Sequence, residues 1–189
     1  MNINSQMKFL SEDNVKLHLS HLSDLRLKWS VFKKSIPELE GKTLRHIIGM
    51  KNRHIAKEEL LPLINSIKSH ELHFSSFSEQ PNVCKEIREH YSSEAAFLYE
   101  LYTKAKNTSS GFLYVSLGRG RRPEAVCTDG HSLPPLSDPP RLALDLFEHT
   151  YFLDYRFDRD KYLRAALAHL DLSKLFSSDN AEIYLDTVI

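Results

Sequence analysis

The chain has 189 residues, which is long enough for one compact domain or for two small layers that share a hydrophobic core. Its composition, 41% hydrophobic and 26% charged, is that of an ordinary globular protein and excludes a disordered or fibrous one. The formal net charge is zero, which argues against general binding of nucleic acid through a basic surface. No apolar run approaches the roughly 20 residues that span a bilayer, so no membrane partner is expected.

Smaller features bear on where the protein works. Cys84 and Cys127 do not make a disulfide framework and favour a reducing compartment. The N-terminal residues show neither the apolar segment of a signal peptide nor an Arg-rich transit sequence. We therefore expect an intracellular protein, mitochondrial or cytoplasmic. The basic run from Arg119 to Arg122 fits a solvated hairpin turn better than a nucleic-acid contact.

Helical patterns dominate the first part of the chain. Apolar residues recur near helical spacing over residues 10–34, after capping side chains at residues 11–14, and predict a long helix. Pro37 and Gly41 mark its end. A short helix is predicted over residues 42–48 and a long amphipathic one over residues 57–77. The two long helices predict an antiparallel hairpin, which we assign to an N-terminal domain of residues 1–80.

Beyond Pro81 the predicted elements are mixed. Helices are expected over residues 83–106 and 155–175, and strands over residues 112–115, 124–128 and 142–147. Residues 129–140, rich in Pro, Ser and Asp, read as a loop. This order predicts an α/β domain of residues 81–189 with a small three-stranded antiparallel sheet. The fold class is therefore α+β.

Asp145 and His149 lie four residues apart where the last predicted strand runs into a turn and a helix. A carboxylate oxygen and an imidazole placed in this way can converge on one cation. The pair alone is weak evidence, because such spacings are common by chance. The longer run DLFEHTYFLDY, with Arg159 and Tyr162 after it, resembles the C-terminal signature of the iron/manganese superoxide dismutases.

This resemblance implies two further metal ligands, one histidine from each hairpin helix. His70, which follows Ser69 in the second long helix, falls on one ligand position. The segment EGKTL at residues 40–44 is similar to the family's EGKSL, and counting back by the family's spacing reaches His18. His73 stands where the family carries an aromatic residue, and we expect it to pack or to line the rim. The implied cofactor is one iron or manganese ion per chain, and the implied ligands are His18, His70, Asp145 and His149.

The residues around the implied ligands depart from the family's pattern. Leu22 stands where the family has a second histidine, and Phe152 replaces the tyrosine that contacts it. Arg26 replaces the gateway tyrosine; it either attracts a small anion or closes the entrance by pairing with a carboxylate. His131 lies near the position of the family's sheet-loop glutamine and is either an outer residue of the site or an exposed loop residue. Both tryptophans of the family's aromatic wall are replaced by smaller aromatic residues, at positions 112 and 114.

Two functions from different classes follow from the resemblance. One is dismutation of superoxide to dioxygen and hydrogen peroxide, with Arg26 and His131 standing in for the usual gate and outer residues. The other is a structural subunit that has lost turnover, such as a component of the mitochondrial small ribosomal subunit, where nucleic acid would be a neighbour. Glu148 matches a residue that in the family orients a ligand histidine of the partner subunit. Its presence predicts a dimer, with itself or with a related chain.

Overall fold

The computed structural model describes residues 6–50, 57–81, 84–136, 138–177 and 179–189. Within these residues the chain forms seven α-helices and three β-strands. The helices are α1 (Glu12–Ser35), α2 (Leu44–Gly49), α3 (Lys57–Ser75), α4 (Glu94–Lys106), α5 (Glu148–Tyr155), α6 (Arg159–His169) and α7 (Asp179–Leu185). The strands are β1 (Phe112–Leu117), β2 (Pro123–Thr128) and β3 (Leu142–Asp145). Short 3-10 helices cover Pro37–Leu39, Lys85–Glu89, Arg119–Arg121 and Leu172–Phe176.

Helix α1 begins where the sequence places capping residues. The Ser11 side chain accepts the N–H of Asn14 at 3.2 Å, and acidic residues in the first turn complement the helix dipole. The buried face of the helix then runs from Val15 through His18 and Leu22 to Trp29. These positions repeat every three or four residues, so one stripe of α1 packs against α3 and α5.

The sheet is antiparallel with the order β2-β1-β3. Strand β1 is buried along its whole length, which fits its central place, and Phe112 pairs with Asp145 of β3. Gly111 has a φ of +119°, and a Cβ there would lie 1.9 Å from the Thr128 carbonyl oxygen. Glycine is therefore required where the chain enters β1. Strand β3 packs on α3, which brings Asp145 to the helical pair.

The predicted fold class is confirmed: a helical hairpin precedes a part with a small three-stranded antiparallel sheet. The division at residue 80 stays a prediction. The prediction of one helix over residues 83–106 was wrong, because Ser93 caps a new helix by accepting the N–H of Ala96. The prediction of one helix over residues 155–175 was also wrong. Arg156 has a φ of +50°, which ends α5, and the chain passes through α6 into a 3-10 helix.

No helix among the described residues is both long enough and apolar enough to cross a bilayer. The C-terminal helix α7 instead packs against α3. The residues after α7 are tied to the N-terminal part, because Thr43 and Val188 form a β-bridge and Arg45 contacts Asp186 at 2.6 Å. Helix α3 is thus covered by both β3 and α7.

Candidate metal centre

Four elements bring His18, His70, Asp145 and His149 together. They are α1, α3, the end of β3 and the first turn of α5. One possible ligand atom from each residue lies within 4.8 Å of all the others. The side chains of three of them are fully buried, and that of His149 is 29% exposed. The set implied by the resemblance is therefore one cluster in space, open to solvent on the side of His149.

The Asp145 carboxylate lies at the middle of the cluster. Its Oδ2 is 3.1 Å from Nε2 of His18, 3.2 Å from that of His70 and 3.3 Å from that of His149. Its Oδ1 accepts the N–H of Phe147 at 2.8 Å, which fixes the carboxylate plane. Burial by itself would raise the pKa of Asp145, but the hydrogen bonds to the three imidazoles outweigh burial and hold the pKa well below its usual value. Asp145 is therefore an anion.

His70 is oriented by its backbone contact. Its Nδ1–H donates to the carbonyl oxygen of Ser66 at 2.7 Å, which fixes the orientation of the ring. Its Nε2 then faces Asp145 Oδ2 at 3.2 Å and His149 Nε2 at 3.3 Å. The Ser66 contact therefore holds Nε2 of His70 in the middle of the cluster.

The spacing of these atoms also suits a shared ion. Two nitrogen ligands bound to one metal at about 2.1 Å lie about 3.0 Å apart at a right angle. The separations around Asp145 Oδ2, between 3.1 and 3.3 Å, are close to that value. Three imidazoles and one carboxylate suit iron or manganese and leave room for a small exogenous ligand. The residues present therefore fit the metal that the resemblance implies.

His73 supports the carboxylate from behind. It is fully buried, and its Nδ1 accepts the backbone N–H of Asp145 at 3.1 Å. Burial is the main cause that holds the pKa of His73 well below its usual value, so its ring is neutral. The sequence predicted a packing or rim residue here. The structure gives a packed one with a hydrogen bond to a candidate ligand.

Aromatic rings enclose the cluster. Phe112 meets His70 edge-on at 5.3 Å between ring centroids, and Phe147 stacks on His149 at 5.5 Å. Tyr114 stands behind Phe112, and its hydroxyl lies 2.6 Å from the Ser69 hydroxyl. Burial raises the pKa of Tyr114 to about 12. Of the two replacements of the family's tryptophans, Phe112 therefore lines the site and Tyr114 supports it from behind.

His131 lies next to the site without touching the carboxylate. Its ring stacks on Phe147 at 4.8 Å, and Phe147 separates it from His149. The Asn65 amide holds this loop by donating to the carbonyl oxygens of His131 and Ser132 at 3.0 and 2.8 Å. Burial, followed by repulsion from His70, lowers the pKa of His131. Its Nδ1 is buried without a partner among the described residues.

The gate position is occupied by an ion pair. Arg26 donates to Oε1 of Glu71 at 2.9 Å, and the Arg26 side chain is 57% exposed. The other oxygen of Glu71 accepts from Lys68 at 2.8 Å. Of the family's relay positions, Leu22 is buried among apolar residues and Phe152 is 38% exposed. The sequence did not single out Glu71 or Lys68, because their pairing depends on how α1 and α3 meet.

His21 is a further residue of this site that the sequence interpretation missed. Its ring lies 4.5 Å from that of His149 and 5.1 Å from that of His70, and it is half-buried. Burial, and then repulsion from the neighbouring imidazoles, lowers the pKa of His21 to about 4. The signal was the spacing His18-x-x-His21, which places both side chains on one helix face.

Comparison with known proteins agrees with this geometry. Residues 79–177, more than half of the chain, match the model of the C-terminal domain of iron/manganese superoxide dismutases. A chloroplastic iron superoxide dismutase 3 of Arabidopsis thaliana is 35% identical over 95 residues, which are 48% of this chain and 36% of that protein. A chloroplastic iron superoxide dismutase 2 of Oryza sativa subsp. japonica is 33% identical over 91 residues, 47% of this chain and 36% of that protein. The matched region thus spans about a third of each relative.

Proposed function

The chain belongs to the iron/manganese superoxide dismutase family, and from this premise we propose that it is a metal-dependent superoxide dismutase. Its single iron or manganese ion is held by His18, His70, Asp145 and His149. The observation that carries the proposal is the convergence of their ligand atoms within 4.8 Å, with Nε2 of His70 held towards the Asp145 carboxylate. Family membership supports the choice of metal and substrate.

The reaction needs one electron to be taken from a first superoxide and given to a second, which also takes two protons. The products are dioxygen and hydrogen peroxide. An ion held by these four residues would supply this exchange by changing between its two- and three-valent states. The protein orients the ligands: Ser66 fixes the His70 ring, and the Phe147 N–H and the His73 ring fix the Asp145 carboxylate and its backbone. The aromatic wall limits the entry of water.

Access to the ion is narrower than the family's pattern implies. His149 is the exposed member of the cluster, so substrate approaches on its side. Arg26 stands at the gate position, and Glu71 neutralises it in an ion pair. The sequence left two roles open for Arg26, attraction of a small anion or closure of the entrance. We propose the second role, in which Arg26 partly closes the entrance. His131 keeps its proposed role as an outer residue, which shapes the site through its stack on Phe147.

A dimer is part of the proposal. Glu148 is exposed in the first turn of α5 and has no ion pair with any described residue. Exposed apolar side chains follow it along the chain: Phe152 is 38% exposed, Leu153 50% and Phe157 92%. A carboxylate beside an apolar patch suits a partner subunit whose ligand histidine needs an acceptor. Glu148→Ala should shift the dimer to monomer in sedimentation experiments, whereas exposed Glu12→Ala should not.

A second candidate function is that of a structural subunit in a large assembly, such as the mitochondrial small ribosomal subunit. The replacement of the relay by Leu22 and Phe152 favours it, because an assembly subunit does not need proton transfer. The three arginines at positions 119, 121 and 122 are exposed and form no ion pair with a described carboxylate. Such a turn could contact phosphate groups of RNA.

Sedimentation of the native chain from cell extract separates the two candidates. A dismutase would sediment as a free dimer with dismutation activity in the same fractions. A structural subunit would sediment with a ribosome-sized particle and leave that particle only under conditions that dissociate RNA–protein contacts. The relatives' names place those proteins in the chloroplast. We propose an intracellular location for this chain, and a plastid therefore joins the mitochondrion and the cytoplasm as the compartments to test.

A further inference from the structure

The cluster of candidate ligands can be reached from one side. The side chains of His18, His70 and Asp145 are 0% exposed, and that of His149 is 29% exposed. A small molecule that binds at the open position of the metal must therefore pass the surface around His149. The groups lining this surface decide which molecules are held there.

His21 lies on this surface. Its ring is 4.5 Å from that of His149 and 5.1 Å from that of His70, as close as the ligand rings are to one another. It is half-buried, and neither of its ring nitrogens hydrogen-bonds to any described residue. It is not among the residues whose ligand atoms converge. An imidazole without a hydrogen-bond partner keeps an N–H that is free to donate.

The other two candidates on α1 are less suited to hold an anion. Leu22 is apolar and only 4% exposed, and the guanidinium of Arg26 is already bound to Glu71. The family's pattern points to positions 22 and 26. In the structure, the polar side chain beside the ligand rings is instead that of His21, which lies between His18 and Leu22. One helical turn separates His18 from His21, so the ligand and this residue move as one rigid unit.

We propose that His21 is the residue that binds the small anion next to the metal, by donating a hydrogen bond to it on the His149 side of the cluster. This inference rests on the proposed function, because it needs a metal with an open position. It deepens that function by naming a specificity-determining residue. An oxygen anion, which accepts hydrogen bonds and donates none, is the class of ligand that this contact selects.

Binding of azide to the iron-loaded full-length chain tests the inference without relying on turnover. Sodium azide is titrated into ferric protein and followed by visible absorption, and iron per chain is measured on each sample. His21→Leu removes both nitrogens, His21→Gln keeps a donor, and Ser20→Ala is a matched control at the exposed neighbouring position. Circular dichroism checks that each variant folds.

We expect His21→Leu to weaken azide binding by about tenfold or more, since a hydrogen bond to a charged group is lost. Iron content should be unchanged, His21→Gln should recover most of the affinity, and Ser20→Ala should match the wild type. Equal azide affinity in His21→Leu and the wild type would overturn the inference alone. So would loss of iron from His21→Leu, because His21 would then be a ligand. Failure of the wild-type chain to bind iron would contradict both the inference and the proposed function.

Discussion

The ligand cluster keeps the family's pattern, whereas the rim around it departs from that pattern. In the cluster, His18, His70 and Asp145 are fully buried, and each is held by contacts within 3.3 Å. At the rim, Leu22 and Arg26 depart from the family's pattern and lie in apolar packing or in a surface ion pair. The centre thus keeps a set of residues that could hold an ion, while the residues at the family's gate and relay positions have changed.

This difference separates two properties that are usually found together. Metal binding depends on the ligands and on the residues that orient them, and here His70 and Asp145 have such contacts, whereas Nδ1 of His18 is buried without a partner among the described residues. Turnover depends on access and proton supply, which the rim provides. The account therefore predicts firm metal binding and a turnover limited at the rim, with His21 as the polar contact that remains there.

Removing the central carboxylate should have the largest effect. Asp145→Asn keeps the shape but loses the negative charge that faces three imidazoles. We expect metal affinity to fall by more than about 100-fold, because even residues that only support ligands contribute about 10–100-fold. Metal content after dialysis measures the effect, and exposed Asp24→Asn is the control. Retained metal in Asp145→Asn would contradict the central place given to this residue.

Loss of the support behind the carboxylate should have a smaller effect. His73→Phe keeps an aromatic ring but leaves the buried N–H of Asp145 without its acceptor. The free energy of unfolding should fall by about 1–3 kcal/mol, and metal affinity by about tenfold. Urea unfolding with and without added metal measures both, and His90→Phe, at a half-buried position, is the control. An unchanged unfolding midpoint would show that the hydrogen bond from the Asp145 N–H to His73 does not contribute to stability.

Opening the gate should raise turnover modestly. Arg26→Tyr removes the cation that pairs with Glu71 at the family's gate position. Because an exposed ion pair contributes about 1 kcal/mol at most, the increase should not exceed about fivefold. Dismutation is measured at low and high salt, with Lys28→Tyr on the same helix as the control. A fall in turnover together with a loss of salt dependence would instead show that Arg26 attracts the anion.

Restoring the family's relay should give the smallest change. Leu22→His and Phe152→Tyr return both partners of a contact that this chain has lost. We expect each single variant to stay within about twofold of the wild type and the double variant to gain about threefold, since contacting residues couple by about 0.5–3 kcal/mol. A double-mutant cycle on turnover measures the coupling. Strictly additive effects would mean that the two positions do not meet.

The candidate ligands were more predictable than the rim. Asp145 and His149 lie in a short run whose residue types and spacing suit a metal, whereas His70 and His18 followed from the resemblance to the family's pattern. His21 escaped notice because the family's pattern marks the next residue, Leu22, which the helix turns into the core.

The rest of the structure depended on contacts between distant segments. The Arg26–Glu71 pair forms only because α1 and α3 meet side by side. The helix predicted over residues 83–106 is interrupted because Ser93 satisfies a backbone N–H better than a continued helix would. The helix predicted over residues 155–175 is interrupted by the left-handed conformation of Arg156, which no local pattern indicated.

The most direct test of the central claim is elemental analysis of the purified chain with a dismutation assay on the same sample. The account predicts close to one iron or manganese ion per chain, with dismutation that is lost when the metal is removed and returns when it is restored. A folded chain that takes up neither metal would contradict the claim that these four residues form a metal site. Bound metal without any turnover would support the metal site but contradict the proposal that the chain is a dismutase.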